Sequence, residues 1–177
     1  VNQDEVLLKS RKFSIRRRDV PVADGSVHAY DIVTHPGAAV ILPVLPDGRL
    51  LLIGNYRVAV DRELLELPAG TIDPPESPLS CAERELTEET GYTAGRLTPL
   101  LSFFSTPGIC NEQLHAFLAT ELTPGPTAHE PGERIRLVPM QRADALDAIR
   151  RHEITDGKTI VTLLYYDRFI QGRGDGA

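Results

Sequence analysis

The chain is poor in what several protein classes require. Its 177 residues hold two cysteines, Cys81 and Cys110, and these form no metal-binding or redox motif. A reducing cytoplasm is the expected setting. Basic residues are in deficit, with 19 Lys and Arg against 25 Asp and Glu and a net charge of -6. That argues against a general binder of nucleic acid or of membrane surfaces. Long hydrophobic runs are absent: the longest, around residues 38–44 and 50–53, fall far short of the roughly 20 residues that span a bilayer. The N-terminus is charged and has no apolar signal core. There is no internal repeat and no low-complexity tract. The length suits one domain with a sizeable core. Such an acidic protein can still act on anionic molecules, if metal ions or local arginines recruit them.

The informative stretch runs from Gly70 to Tyr92, GTIDPPESPLSCAERELTEETGY. It opens as a loop, with Asp73-Pro74-Pro75 as turn residues. Ser77 can cap a helix, Pro78 suits its first turn, and Leu79, Ala82 and Leu86 share one stripe. Gly91 stands where a left-handed stop is expected. On this helix Glu85, Glu88 and Glu89 fall within an arc of about 100°, and Arg84 can pair with Glu88 four residues on. Carboxylates so crowded repel one another unless something positive sits between them. A hard divalent cation, Mg2+ or Mn2+, takes such oxygen ligands. Taken alone, a Glu-rich helix is more often a solvated face with i,i+4 pairs.

The remaining chain reads as short strands with helices towards the end. Residues 1–34 form a strand-rich unit: Lys12–Arg16 alternates, residues 27–33 make a second run, and Ala23-Asp24-Gly25-Ser26 turns between them. Arg16-Arg17-Arg18 reads as an exposed strand face. His35-Pro36-Gly37 is a break. Residues 38–45 form an apolar strand, Pro46-Asp47-Gly48 a hairpin turn, and residues 49–53 the return strand. Two more strands, 97–104 and 113–118, flank a Pro-Gly loop. Residues 123–132 read as a mobile loop. A short helix over 143–151 and a last helix over 159–170 follow, with Leu163, Leu164 and Phe169 as packing residues. The expected units are an N-terminal sheet (1–35), a main domain (36–171) and a disordered tail (172–177).

The stretch from Gly70 resembles the Nudix box, G-x5-E-x7-R-E-U-x-E-E-x-G-U, where U is bulky and apolar. Gly70, Glu76, Arg84, Glu85, Leu86, Glu88, Glu89, Gly91 and Tyr92 occupy every specified position. At about one residue in fifteen per fixed position, seven such matches arise by chance on the order of once in 10^8 windows. This reverses the bland reading of the helix. The flanks resemble the ADP-ribose pyrophosphatase group: His35-Pro36-Gly37-Ala38-Ala39-Val40, Tyr56-Arg57, Glu66-Leu67-Pro68-Ala69-Gly70, and Pro107 fifteen residues past Tyr92.

The resemblance implies an α+β fold of α/β/α sandwich type, with a mixed sheet between helices and an N-terminal antiparallel sheet. It implies a homodimer in which that sheet crosses to a partner. It implies Ala69 (through its carbonyl), Glu85, Glu88, Glu89 and Glu133 as metal ligands, with Arg84 orienting the carboxylates. Glu88 shares a second ion or a bridging water. A late glutamate is the base. Glu133 matches best, but the acidic residue expected two positions earlier is Pro131, so Glu130 stays open. Substrate contacts fall to Arg57, Tyr30 or Phe13, Asp31, Pro107, Gly108 and Glu112, the last on the terminal ribose. Glu66 is either a salt-bridge or a site residue. Where the group often carries Arg-x-Glu this chain has Ala29 and Asp31. The implied reaction is hydrolysis of a nucleoside diphosphate derivative, foremost ADP-ribose to AMP and ribose 5-phosphate. GDP-mannose is the alternative substrate, and a non-catalytic ADP-ribose sensor the alternative class. The intact box carboxylates favour an enzyme.

Overall fold

The computed structural model describes residues 4–128 and 134–172. Strands β1 (Glu5–Lys9), β2 (Ser14–Pro21) and β3 (Val27–Thr34) form an N-terminal antiparallel sheet in that order. The central sheet uses β4 (Ala38–Pro43), β7 (Ala69–Thr71), β8 (Tyr92–Phe104) and β9 (Gln113–Pro124) in the order β7-β4-β9-β8. It is mixed: β4 runs parallel to β9 and antiparallel to β7. A third sheet holds β10 (Ile135–Met140), β5 (Leu50–Arg57) and β6 (Arg62–Glu66), antiparallel throughout. The helices are α1 (Pro78–Thr90), α2 (Arg142–Arg150) and α3 (Gly157–Tyr165).

Strand β4 explains the layering. All six of its residues are buried, as a continuous apolar run predicts for a strand covered on both faces. Ala39 and Ile41 pack with Cys81, Ala82 and Leu86 of α1. Ala38, Val40 and Leu42 pack on the opposite side with Leu52, Ala145, Ala148 and Leu163. Each large side chain so buried contributes roughly 1.5–3 kcal/mol. The result is a mixed sheet between helices, the α/β/α sandwich expected from the resemblance.

Helix α1 forms as its sequence dictates. Ser80 N–H donates to Ser77 Oγ at 3.1 Å, Pro78 starts the helix, and Gly91 ends it with φ 73° and its N–H on Thr87 O. The buried face is Cys81, Ala82, Leu86, Glu89 and Thr90. Leu79 departs from the expected stripe: it is exposed, while Cys81 in the same turn is buried against β4.

Two further expectations change. Residues 46–48 do turn, but β4 and β5 are no hairpin pair. They share one bridge, Val44 with Leu50, and then part into different sheets. The parting lets both strands bury their faces, which a two-stranded ribbon could not do. The last helix begins earlier than read, because Asp156 caps it through Thr159 N–H. It then widens into π-type turns over Tyr166–Gln171. Residues 173–177 of the proposed tail, and 129–133 of the loop after β9, lie outside the described residues.

Thr159 ties α3 to the strand leading into the box. It is fully buried, and its Oγ1 receives Leu67 N–H at 2.8 Å while donating to Asp156 Oδ2 at 2.6 Å. Thr159→Val leaves the Leu67 N–H buried without a partner. Thermal or urea denaturation should show a loss of about 1–3 kcal/mol.

Candidate active site

A cleft of about 770 Å3 opens beside the amino-terminal part of β4 and the box. Its lining includes Ala69, Gly70, Arg84, Glu85, Glu88 and Glu89, and also Arg57, Glu66, Glu112 and Lys158. Carboxylates and cations therefore share one cavity.

The carboxylates come from α1 and are held by one cation. Arg84 Nη1 donates to Glu85 Oε1 at 2.6 Å and to Glu88 Oε2 at 3.0 Å. Its Nε and Nη2 donate to Glu76 at 2.9 and 3.0 Å, and Nη2 also reaches Thr71 O at 3.1 Å. Glu76, and after it Glu85 and Glu88, hold the guanidinium well above its ordinary value. In return Arg84 holds the Glu76 carboxyl below its ordinary 4.5. Glu76 also accepts Asp73 N–H at 3.1 Å, so it folds the loop back onto the helix. Glu89 is buried, with Oε2 accepting Ala69 N–H at 2.9 Å. Gly70 must be glycine for a local reason: a Cβ there would lie 1.7 Å from Glu85 Oε1. Cys81, beneath the same turn, has its thiol pushed up to about 12, chiefly by burial. It is packing, not a nucleophile.

Two of the cations come from β5 and α3. Arg57 grips Glu66 through Nε at 2.8 Å and Nη2 at 2.6 Å, and Lys158 Nζ donates to the same carboxylate at 2.6 Å. Glu66 is fully buried, so of the two readings for it the ion-pair one describes what is seen. The Glu66 carboxylate is the main cause that raises the Arg57 guanidinium above its ordinary value, and Glu89 adds to it.

Glu112 reaches the cleft because the loop over 105–112 is tied to β3. Val33 N–H donates to Ile109 O at 2.8 Å, Asn111 N–H donates to Val33 O at 3.2 Å, and His35 N–H donates to Asn111 Oδ1 at 2.8 Å. Glu112 Oε1 lies 3.4 Å from His35 Nδ1. That nitrogen already accepts Gly37 N–H at 3.1 Å, so the contact is a close approach and not a hydrogen bond.

Several residues picked from the sequence lie elsewhere in the single chain. Tyr30 is exposed on the N-terminal sheet, against His28. Asp31 is gripped by Arg17 at 2.8 and 2.9 Å. Neither they nor Phe13, Pro107 and Gly108 line this cleft. Pro107 and Gly108 occupy an exposed turn closed by Ile109 N–H on Thr106 O. Glu130 and Glu133 lie outside the described residues. Conversely, Arg11 and Lys12 line the cleft without having been singled out, and so does Lys158, whose turn over 154–159 resembles one of the Nudix family but was expected only to open the last helix. For Lys158 a signal existed in Asp156-Gly157-Lys158-Thr159, a capping turn that aims the next side chains from a fixed helix end.

The donor set suits a hard divalent cation, because every candidate ligand in the cleft, the Ala69 carbonyl and the three glutamates, is an oxygen. Among the described residues no group of three or more His, Cys, Asp or Glu is already gathered as a cage. Glu85 and Glu88 rest on Arg84, and Glu89 on a backbone N–H.

Residues 33–160 match the family model of the NUDIX domain. The chain belongs to the Nudix family. It is a Nudix hydrolase, and enzymes of that family generally use divalent metal ions. It is 33% identical over 163 residues to the ADP-ribose pyrophosphatase of Bacillus subtilis, covering 91% of this chain and 88% of that one. It is 30% identical over 173 residues to the GDP-mannose pyrophosphatase of Cronobacter sakazakii, covering 92% and 88%. The crystal structure of an ADP compounds hydrolase superposes with a TM-score of 0.84 at 25% identity, covering 98% of this chain and 95% of that one. Among the described residues no helix is long and apolar enough to cross a membrane.

Two outcomes follow from the box geometry. The three atoms nearest a Cβ in Gly70→Ala all belong to the flexible Glu85 carboxylate, so the fold should survive while Glu85 is displaced. Hydrolysis should drop at least about tenfold, with a melting temperature near that of the wild type. Glu76 has a lowered native pKa. Its pairing with Arg84 therefore stabilises fully above pH 4.5 and is lost as pH falls through the native value. Glu76→Gln should flatten the decline of melting temperature below pH 4.5.

Proposed function

We propose that the protein hydrolyses ADP-ribose to AMP and ribose 5-phosphate. The observation that carries this reading is the meeting of Glu85, Glu88, Glu89 and Ala69 with the Arg57 guanidinium in one cleft. A diphosphate needs both: oxygen ligands for a divalent ion on one side, and a fixed donor on the other. Glu85, Glu89 and the Ala69 carbonyl would hold Mg2+, with Mn2+ as the alternative, and Glu88 would serve a second ion or a bridging water. When bound, the ion supplies positive charge against the diphosphate and makes water easier to deprotonate. Arg84 keeps the carboxylates oriented. Glu133, or Glu130 in its place, takes the water's proton. Glu112 holds the terminal ribose. The name of the Bacillus relative supports this substrate.

GDP-mannose is the second reading, supported by the relatives of that name and by Ala29, which cannot supply a guanidinium. The N-terminal sheet over 1–35 acts as a dimer-forming unit beside the catalytic domain over 36–171. Val6, Leu8, Val20, Val22 and Val27 leave large apolar side chains exposed on it, a surface that a second copy can cover. In such a dimer Tyr30, Asp31, Pro107 and Gly108 belong to a site shared by two copies. The two free thiols fit a cytoplasmic setting.

Hydrolysis of ADP-ribose, GDP-mannose, NADH, FAD and a diadenosine polyphosphate at fixed Mg2+ tests the proposal. ADP-ribose should lead, and Glu88→Gln should lose at least about tenfold. If GDP-mannose leads, the second reading replaces the first. If nothing turns over while ADP-ribose binds, the protein is a sensor.

A further inference from the structure

We infer that Phe104 is a specificity residue of the cleft: its ring lies against the face of the substrate's terminal sugar, while Glu112 accepts the sugar hydroxyls. This rests on the diphosphate-hydrolysis reading above. Strand β8 alternates as it nears the cleft. Leu101 and Phe103 pack on the core that holds Leu114, and Ser102 and Phe104 are exposed. Ser102 suits such a position. Its Oγ lies 2.9 Å from Nδ1 of His115, its partner across the ladder. Phe104 does not suit it, for a phenyl ring stands there 54% exposed and adds little to the core. Among the described residues the ring contacts join His28 with Tyr30 and Tyr165 with Phe169, and Phe104 takes part in neither. It lines the cleft instead.

The neighbours of Phe104 say what the ring can meet. Phe104 stands opposite Gln113 in the ladder, and the next residue, Ser105, donates its N–H to Glu112 O at 3.2 Å. The ring and the Glu112 carboxylate therefore spring from adjoining strand ends, and both line the cleft. A sugar has two kinds of surface. Its hydroxyls need hydrogen-bond partners, and the faces of its ring expose C–H groups that give up water readily. A carboxylate beside an exposed aromatic ring matches both at once. A phosphate gains nothing from the negative face of a phenyl ring, so the diphosphate is not what the ring serves. A nucleobase also stacks on such a ring, but Phe104 adjoins Glu112, at the end of the cleft assigned above to the terminal sugar.

Steady-state kinetics and product inhibition on Phe104→Ala, Phe104→Leu and Phe104→Tyr, each with a melting temperature, test this. Phe104→Ala should raise KM for ADP-ribose roughly tenfold and change kcat far less. Phe104→Leu keeps apolar bulk without a ring and should fall between Ala and wild type, and Phe104→Tyr should keep the wild-type KM. In the Ala variant inhibition by ribose 5-phosphate should weaken by a similar factor, and inhibition by AMP should not change. If GDP-mannose leads the substrate panel, mannose 1-phosphate and GMP take the places of these two products. Melting temperatures should stay near wild type, because the ring is exposed. An unchanged KM in the folded Ala variant overturns the inference while leaving the hydrolysis reading intact. Weakened inhibition by the nucleoside monophosphate, with the sugar phosphate unaffected, also overturns it, since the ring then serves the nucleoside. So does failure of both the Ala and Leu variants to fold, because Phe104 is then a packing residue. If the wild type turns over no diphosphate at all, the underlying reading falls and takes this inference with it.

Discussion

Four carboxylates crowd one end of α1, and a single guanidinium keeps them in place. Glu76, Glu85 and Glu88 all bond Arg84, and Thr71 O completes its set. Glu89 accepts instead from the Ala69 N–H. Without Arg84 the mutual repulsion of these groups would push the helix and its entry loop apart. With it, the loop from Gly70 to Glu76 is folded against the helix, and the glutamates face the cleft. The same clamp makes the site adaptable. Glu85 and Glu88 both accept from Arg84 Nη1, and those are hydrogen bonds that another cation can replace.

Behind this polar end the molecule is a conventional layered core. Strand β4 is buried on both faces, and its neighbours supply the frame on which the site is hung. The parting of β4 and β5 matters for function. β5 carries Arg57 into a separate sheet, and its partner β6 delivers Glu66 beside it. Helix α3 closes the group with Lys158. Arg57, Glu66 and Lys158 therefore come from the third sheet and α3, and the box carboxylates from α1.

The local features were legible because they rest on neighbours in sequence. Ser77, Pro78 and Gly91 bound the helix as their chemistry requires, and the box spacing puts its glutamates together on one helix. What could not be read was long-range. The turn at residues 46–48 has hairpin chemistry, but whether two strands stay paired depends on what covers them. Lys158 and Glu66 are 92 positions apart, and nothing in either segment announces the other. Leu79 satisfied the helical period, yet its side chain is exposed while Cys81 in the same turn is buried. Tyr30 and Asp31 were chosen by likeness, and in one chain they stand away from the cleft.

The stitching of β3 to the loop over 105–112 bears on how the protein can be re-engineered. Val33 exchanges two backbone hydrogen bonds with Ile109 and Asn111, and the next residues carry Glu112 into the cleft. The first sheet is thus not a detachable cassette. Grafting a relative's N-terminal segment up to residue 34 would change the strand that holds this loop, and excising it would strip two main-chain partners from the loop. A chimera that keeps the Glu112 end of the cleft intact must take both pieces from the same parent.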